Sequence, residues 1–247
     1  MATFCMKIAG QVAAVTAAFE STAAYFHGYL TEEAPDFFIE ITPADREFEQ
    51  QASIAEALEE GIRPRVYTGP HLERAAIQRK FAEHLFDCRT LLLHGSTVAV
   101  DGKAYLFTAK CGTGKSTHTR LWREVFGSRA QMVNDDKPFL RLTAEGILAC
   151  GSPWSGKHGL ASNITVPLQG ICILERGAEN SIRRIDDEDA MAMLLHQAYR
   201  PLDHKKASRF EALVAELAQR VPLWRMECNK DPQAAAVSHA AMFGENR

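Results

Sequence analysis

The stretch Ala104–Thr108 (AYLFT), followed by Ala109-Lys110-Cys111-Gly112-Thr113-Gly114-Lys115-Ser116 and then by Thr117–Phe126 (THTRLWREVF), sets the reading of the whole chain. An apolar strand runs into a glycine-rich loop, and the loop runs into a helix with Leu121, Trp122, Val125 and Phe126 on one stripe. The loop fits the phosphate-binding pattern, with Ala109 in the place of the usual leading glycine. Gly112 and Gly114 lack a Cβ, so backbone N–H groups can curl around phosphate oxygens. Lys115 supplies a cation for the β- and γ-phosphates, Ser116 a hydroxyl for Mg²⁺, and the helix an electropositive N-terminus. The competing reading, a glycine-rich turn with an exposed lysine, does not explain the strand before the loop and the helix after it.

Three further segments belong to the same question. Asn134-Asp135-Asp136-Lys137 follows the apolar run Gln131–Val133, and a phosphate loop needs an acidic partner at a strand end. One carboxylate can hold Mg²⁺ and the other can take the proton of an attacking hydroxyl; the same residues, with Pro138, also read as an Asx turn. His94 ends the strand Leu91–Leu93, where a histidine serves either structure or chemistry. Gly151-Ser152-Pro153-Trp154-Ser155-Gly156-Lys157-His158 combines turn formers, an aromatic and a cation. It reads as a substrate-binding loop or as a surface turn with Trp154 tucked into the core.

Outward from these motifs, strands and helices alternate, with runs of adjacent strands that favour a mixed sheet over a purely parallel one. Strands are expected at Phe4–Ala9, Asp36–Thr42, Thr97–Val100, Pro138–Leu142, Ile147–Cys150 and Leu223–Cys228, and a hairpin around Gly177 joins Ile171–Glu175 to Ser181–Ile185. Helices are expected at Val12–Leu30, His71–Cys88, Glu188–Tyr199, Ala207–Arg220 and Pro232–Phe243, while residues 43–68 are polar and fit no element. The fold class is therefore α/β, a mixed β-sheet core preceded by a small N-terminal α/β unit. Residues 1–70 are expected to form that unit and 71–247 the nucleotide-binding catalytic domain.

Composition narrows the function. The 247 residues carry 28 Lys and Arg against 31 Asp and Glu, a net charge of −3, which disfavours a non-specific nucleic-acid binder. No apolar run approaches the ~20 residues of a membrane span. The six cysteines form no C-x-x-C pair, so reduced thiols and a cytoplasmic location are expected. The Ala-rich run Ile8–Phe19 is interrupted by Gln11 and Thr16 and followed by Glu20, and reads as an amphipathic first helix rather than a signal peptide.

The run from Leu91 to about Leu140 resembles the catalytic core of HPr kinase/phosphorylase and of ATP-dependent phosphoenolpyruvate carboxykinase. His94-Gly95 precedes the loop, Cys111–Thr117 is similar to the carboxykinase version of it, and Asp135-Asp136 matches the acidic pair. Most of the chain resembles a set of small HPr-kinase-related proteins of bacterial gene clusters. Gly112–Trp122, Asn134–Pro138, Gly151–Lys157, Asn163–Leu168 and Tyr199-Arg200-Pro201 carry that likeness. Some of those relatives phosphorylate a serine of a ribosomal peptide. The resemblance implies a sheet core of the HPr kinase and carboxykinase type and a Mg-ATP-dependent kinase. Asp136 would be the proton acceptor, with His94 and Lys115 catalytic. Cys111, Gly112, Thr113, Gly114, Lys115, Ser116, Thr117 and Lys157 would sit at the nucleotide, and Ser116 and Asp135 at the metal. Arg120 is a further cation for the transferred group. Ala109 and Lys110 depart from the kinase pattern, and its later Glu-Ile-Arg-Gly segment has no match.

The expected partners are ATP and a peptide or protein serine, with no nucleic acid and no membrane; a homo-oligomer is compatible with the sequence. Two other functions share the same motifs: a nucleotide-binding sensor without transferase activity, and a carboxykinase-like enzyme acting on a small metabolite.

Overall fold

The computed structural model describes residues 1–59 and 61–244 and divides into two compact units, Met1–Leu85 and Phe86–Arg247. In the first unit, β1 (Ala2–Ile8) and β2 (Gln11–Ala17) form an antiparallel hairpin, and β3 (Phe37–Glu40) lies parallel to β2. The turn Ala9-Gly10 has φ of 50° and 80°, the left-handed pair that a two-residue hairpin demands. The helix expected over Val12–Leu30 is therefore replaced by β2 and a short α1 (Glu20–Tyr25). The alanines suggested a helix, but helix propensity is a weak preference, and pairing along the full length of β1 overrides it.

The unplaced segment after Thr42 holds α2 (Pro43–Glu59). Its start is a reciprocal cap: Thr42 N–H donates to Asp45 Oδ2 at 2.9 Å and Asp45 N–H donates to Thr42 Oγ1 at 3.3 Å. The next helix, α3 (Gly69–Asp87), contributes Glu73, fully buried, whose carboxylate accepts from Ala18 N (2.7 Å), Thr22 Oγ1 (2.8 Å) and Arg46 Nη1 (3.3 Å). That side chain joins the start of α1 and the side of α2 to α3.

The second unit is a mixed sheet between helices. Its strands are β4 (Thr90–Leu92), β5 (Ser96–Val100), β6 (Lys103–Thr108), β7 (Ala130–Asn134), β8 (Phe139–Leu142) and β9 (Ile147–Cys150), then β10 (Thr165–Arg176), β11 (Ser181–Ile185) and β12 (Leu223–Cys228). The order runs β4-β8-β9-β10-β6-β5-β7, with β12 also beside β10 and β11 beside β12. Thr165–Pro167 of β10 pairs with β9, and the rest of β10 lies parallel to both β6 and β12. The expected hairpin of β10 with β11 is thus corrected: β11 pairs with β12. β10 is buried from Gln169 to Leu174 and already has a strand on each side, so it offers no free edge to β11, an edge strand whose Ser181, Arg183 and Arg184 are exposed.

Side chains alternate across this sheet. Leu106, Ile171 and Ile173 join one core with Leu194 of α5 (Asp187–Gln197) and Phe210, Leu213 and Leu217 of α6 (Ala207–Arg220). Tyr105, Phe107, Cys172 and Leu174 join the other with Trp122 of α4 (Lys115–Phe126) and Met242 of α7 (Gln233–Phe243). With its two faces covered, the sheet exposes chemistry only at strand ends. Because β7 and β6 are both antiparallel to β5, the C-terminal ends of β6, β7, β10 and β12 share one edge, the place where ligands bind in such sheets. No helix of the described residues is long and apolar enough to cross a membrane.

Candidate functional site

Two loops on that edge meet. The first, residues 109–114, turns from β6 into α4 through Gly112 (φ 73°) and Gly114 (φ 127°), values that a side chain would strain. No side chain caps α4, which leaves its first-turn N–H groups free to face an anion. Lys115 is buried, and its Nζ reaches back to Ala109 O at 3.4 Å. Burial lowers its pKa, partly offset by Cys111 and the carboxylate of Asp136. Arg176, at the end of β10, holds the loop by donating to Gly112 O at 2.6 Å.

The second loop follows β7. Asn134 is fully buried and organises it: its Oδ1 accepts from Asp136 N (2.7 Å) and Lys137 N (2.6 Å), while its Nδ2 donates to Ser152 O (2.8 Å), Ser152 Oγ (3.1 Å) and Trp154 O (3.3 Å). The Asx turn exists, and it also anchors the 151–158 loop. Gly151 is needed where it stands, because a Cβ there would lie 1.8 Å from Ser162 O.

This scaffold sets the two carboxylates in different surroundings. Asp135 is 4% exposed; its Oδ1 accepts from Gly156 N at 2.7 Å, and among the described residues its Oδ2 is buried without a partner. Burial pushes its pKa up, against the hydrogen bond from Gly156. Asp136 faces His94, whose Nε2 lies 3.3 Å from Oδ1. Burial would raise the pKa of Asp136, but the His94 hydrogen bond and the charges of Lys137 and Lys115 hold it below the usual carboxylate range. His94 is placed by main-chain bonds: Gly95 N donates to Asp136 O at 2.9 Å, and Thr108 Oγ1 donates to His94 O at 3.0 Å.

These groups line one cleft of about 630 Å³. Of the residues expected at the site, Asp135, Asp136, His94, Gly112, Gly114, Lys115, Ser116, Thr117, Arg120 and Lys157 line it, together with Gly156 and His158. Cys111 is exposed and outside that lining, and Thr113 lines a neighbouring pocket instead. Trp154 is buried near Phe139, with ring centroids 6.3 Å apart, and contributes its carbonyl to the scaffold rather than its ring to the cleft. The contributions of Arg176 and of the Gly156 N–H carry no sequence signal, because each depends on a contact between distant segments.

No protein-family model matches the chain, and no curated protein matches it. Among solved structures, the Hpr(Ser) kinase/phosphatase from Coxiella burnetii is similar over 62% of this chain and 96% of that one, at 12% sequence identity and a TM-score of 0.37.

Proposed function

We propose that the chain is a Mg-ATP-dependent kinase that transfers the γ-phosphoryl group to the hydroxyl of a serine in a peptide or protein. The observation that carries this reading is the convergence of Lys115, Ser116, Asp135, Asp136 and His94 on one cleft from three separate segments. Nucleotide binding alone requires no carboxylate held ionised beside a histidine, which favours an enzyme over a sensor. The serine acceptor rests on the resemblance of Gly112–Trp122, Asn134–Pro138 and Gly151–Lys157 to the HPr-kinase-related set. A cytoplasmic location is part of the proposal, and all six cysteines are free.

The donors present suit magnesium. Among the described residues Asp135 Oδ2 is a buried carboxylate oxygen without a partner, and Ser116 stands in the first turn of α4. Mg²⁺ takes oxygen ligands and completes its shell with water and phosphate, so one or two protein donors suffice. When bound by Ser116 and Asp135 it would supply positive charge to the phosphate oxygens.

The protein's own groups do the rest. Main-chain N–H groups of residues 110–115 hold the phosphates, and Lys115 stabilises charge on the transferred group. Asp136 accepts a hydrogen bond from the serine hydroxyl and takes its proton as the oxygen bonds to the γ-phosphorus. The bond from that phosphorus to the β–γ bridging oxygen breaks, and ADP leaves. His94 keeps Asp136 oriented and ionised. The test is transfer from γ-labelled ATP to serine peptides with magnesium. Label should appear on serine and vanish with Asp136→Asn; no transfer by the wild type, or full transfer by that variant, overturns the proposal.

A further inference from the structure

The N-terminal unit holds a groove of its own. One wall is the C-terminal part of α2, with Ser53, Glu56 and Ala57; the other is the run of residues 62–67, which has no secondary structure. Its volume of about 1010 Å³ stands at the top of the ~300–1,000 Å³ range of small-molecule sites, room for a stretch of chain. The run is anchored at both ends. Ile62 N–H donates to Ala57 O at 2.9 Å. At the other end Gln50 Nε2 donates to Arg65 O and Gln50 Oε1 accepts from Tyr67 N, both at 2.8 Å, and the Tyr67 ring stacks on His71.

Between the anchors the chain is left open. Among the described residues, the main-chain N–H and C=O of Arg63 and Val66 have no hydrogen-bond partner, and the guanidinium groups of Arg63 and Arg65 have no ion-pair partner. Pro64 holds the residue before it in an extended conformation. In an extended chain, side chains two residues apart project to the same side, about 7 Å apart. Both arginines line the groove, and the one carboxylate of its described lining is Glu56, on the opposite wall. Flanking the arginines are two exposed apolar side chains, Ile62 at 57% and Val66 at 92%. A surface that gathers unpaired cations, free main-chain groups and exposed apolar carbons along one line matches an extended peptide, which offers main-chain partners, carboxylates at a period of two and apolar side chains.

We infer that this groove docks an acidic, extended segment of the acceptor polypeptide, with two carboxylates two residues apart on Arg63 and Arg65 and apolar side chains against Ile62 and Val66. The inference rests on the kinase reading for the identity of the polypeptide as acceptor; the docking itself is independent of transfer. Arginine suits the role, because its planar fork takes a carboxylate through two parallel hydrogen bonds.

The experiment measures fluorescence anisotropy of two labelled peptides with the full chain, one carrying Leu-Glu-Ala-Glu-Leu and the other Leu-Lys-Ala-Lys-Leu. The acidic peptide should bind at least about tenfold more tightly, and more weakly as salt is raised. The double variant Arg63→Glu/Arg65→Glu should reverse that preference, and Val66→Asp should weaken the acidic peptide alone; both changes are at exposed positions, and far-UV circular dichroism checks the fold. Joined to a serine peptide, the acidic segment should lower KM for transfer by a similar factor and leave kcat unchanged, an advantage that the double variant removes. Equal affinity for the two peptides, an unaltered preference in the double variant, or full displacement of the acidic peptide by millimolar succinate, which marks a small-anion site, overturns the docking groove. Peptide binding without any phosphoryl transfer overturns the kinase reading, and with it the acceptor as occupant.

Discussion

On one flank of the 109–116 loop, Lys115, Asp135 and Asp136 face a cleft of about 630 Å³; on the other, Leu174, Cys228 and His118 line a pocket of about 390 Å³. The first flank gathers charge and holds it at strand ends with main-chain and Asn134 hydrogen bonds. The second is mostly apolar, and among the described residues the buried Nδ1 of His118 behind it has no partner. Both are built on the same helix, α4, whose first turn supplies Lys115 and Ser116 to one side and His118 to the other. Successive helical residues turn by about 100°, so a four-residue stretch spreads its side chains around the axis. A single loop-and-helix unit thereby presents two chemically different surfaces, one gathering charged groups and one mostly apolar.

The sharpest separation of the two flanks is Asp136→Asn. It should lower phosphoryl transfer by about 10²–10⁴-fold, the usual worth of a positioned base, while ATP affinity stays near that of the wild type, as read by steady-state kinetics beside calorimetry. Lys115→Ala should lower the rate by about 10²–10³-fold, and it should also weaken tripolyphosphate binding, because the lost charge serves ground state and transition state alike. Asn134→Ala acts on the scaffold of the charged flank. It removes bonds to two main-chain N–H groups and to the 151–154 segment, so about 3 kcal/mol of stability should be lost in urea unfolding.

The apolar flank answers to pH instead. His118 has its folded pKa depressed to about 4 from 6.5. Between those values the unfolded chain binds a proton that the folded chain does not, so stability rises with pH across that window and is lost as pH falls through it. The loss should reach about 3 kcal/mol at the acid end, and His118→Gln should flatten it, as measured by urea unfolding across the window. Asp136 titrates in the same sense at lower pH: its depressed folded pKa keeps its stabilising contribution above the ordinary carboxylate range and forfeits it only in stronger acid. The smallest effect is expected at the part common to both flanks. Ser96 Oγ and Thr119 Oγ1, buried and 2.8 Å apart, pin α4 to β5, and Ser96→Ala should cost about 1 kcal/mol while perturbing transfer and ATP binding together.

Local pattern made some elements legible and left others hidden. The apolar stripe of Leu121, Trp122 and Val125 and the glycines before it mark α4 over Lys115–Phe126, because a helix start and its amphipathic face are encoded within a dozen residues. The Thr42-Pro43-Ala44-Asp45 cap of α2 is equally local, but the helix behind it is polar and gives the cap little apolar pattern to announce. By contrast, Gln11–Ala17 is alanine-rich enough to suggest a helix, and only the strand Ala2–Ile8 beside it makes it β2. At the site, Lys115, Ser116, Asp135, Asp136 and His94 are legible because their chemistry is carried by side-chain type next to turn formers. Trp154 is ambiguous in sequence, and core packing near Phe139 decides it.

The amino-acid sequence by itself determined a strand–loop–helix with two glycines ahead of Lys115, an acidic pair after a second strand, and a mixed α/β core, since each is written in short-range periodicity and residue type. Tertiary structure alone decided that Asp135 is sealed while Asp136 meets His94, that Arg176 clasps Gly112, and that His118 is buried against Ser238. Those distinctions come from burial and from hydrogen bonds between segments far apart in the chain, and they exist only once the sheet has brought the ends of β6, β7, β10 and β12 to one edge.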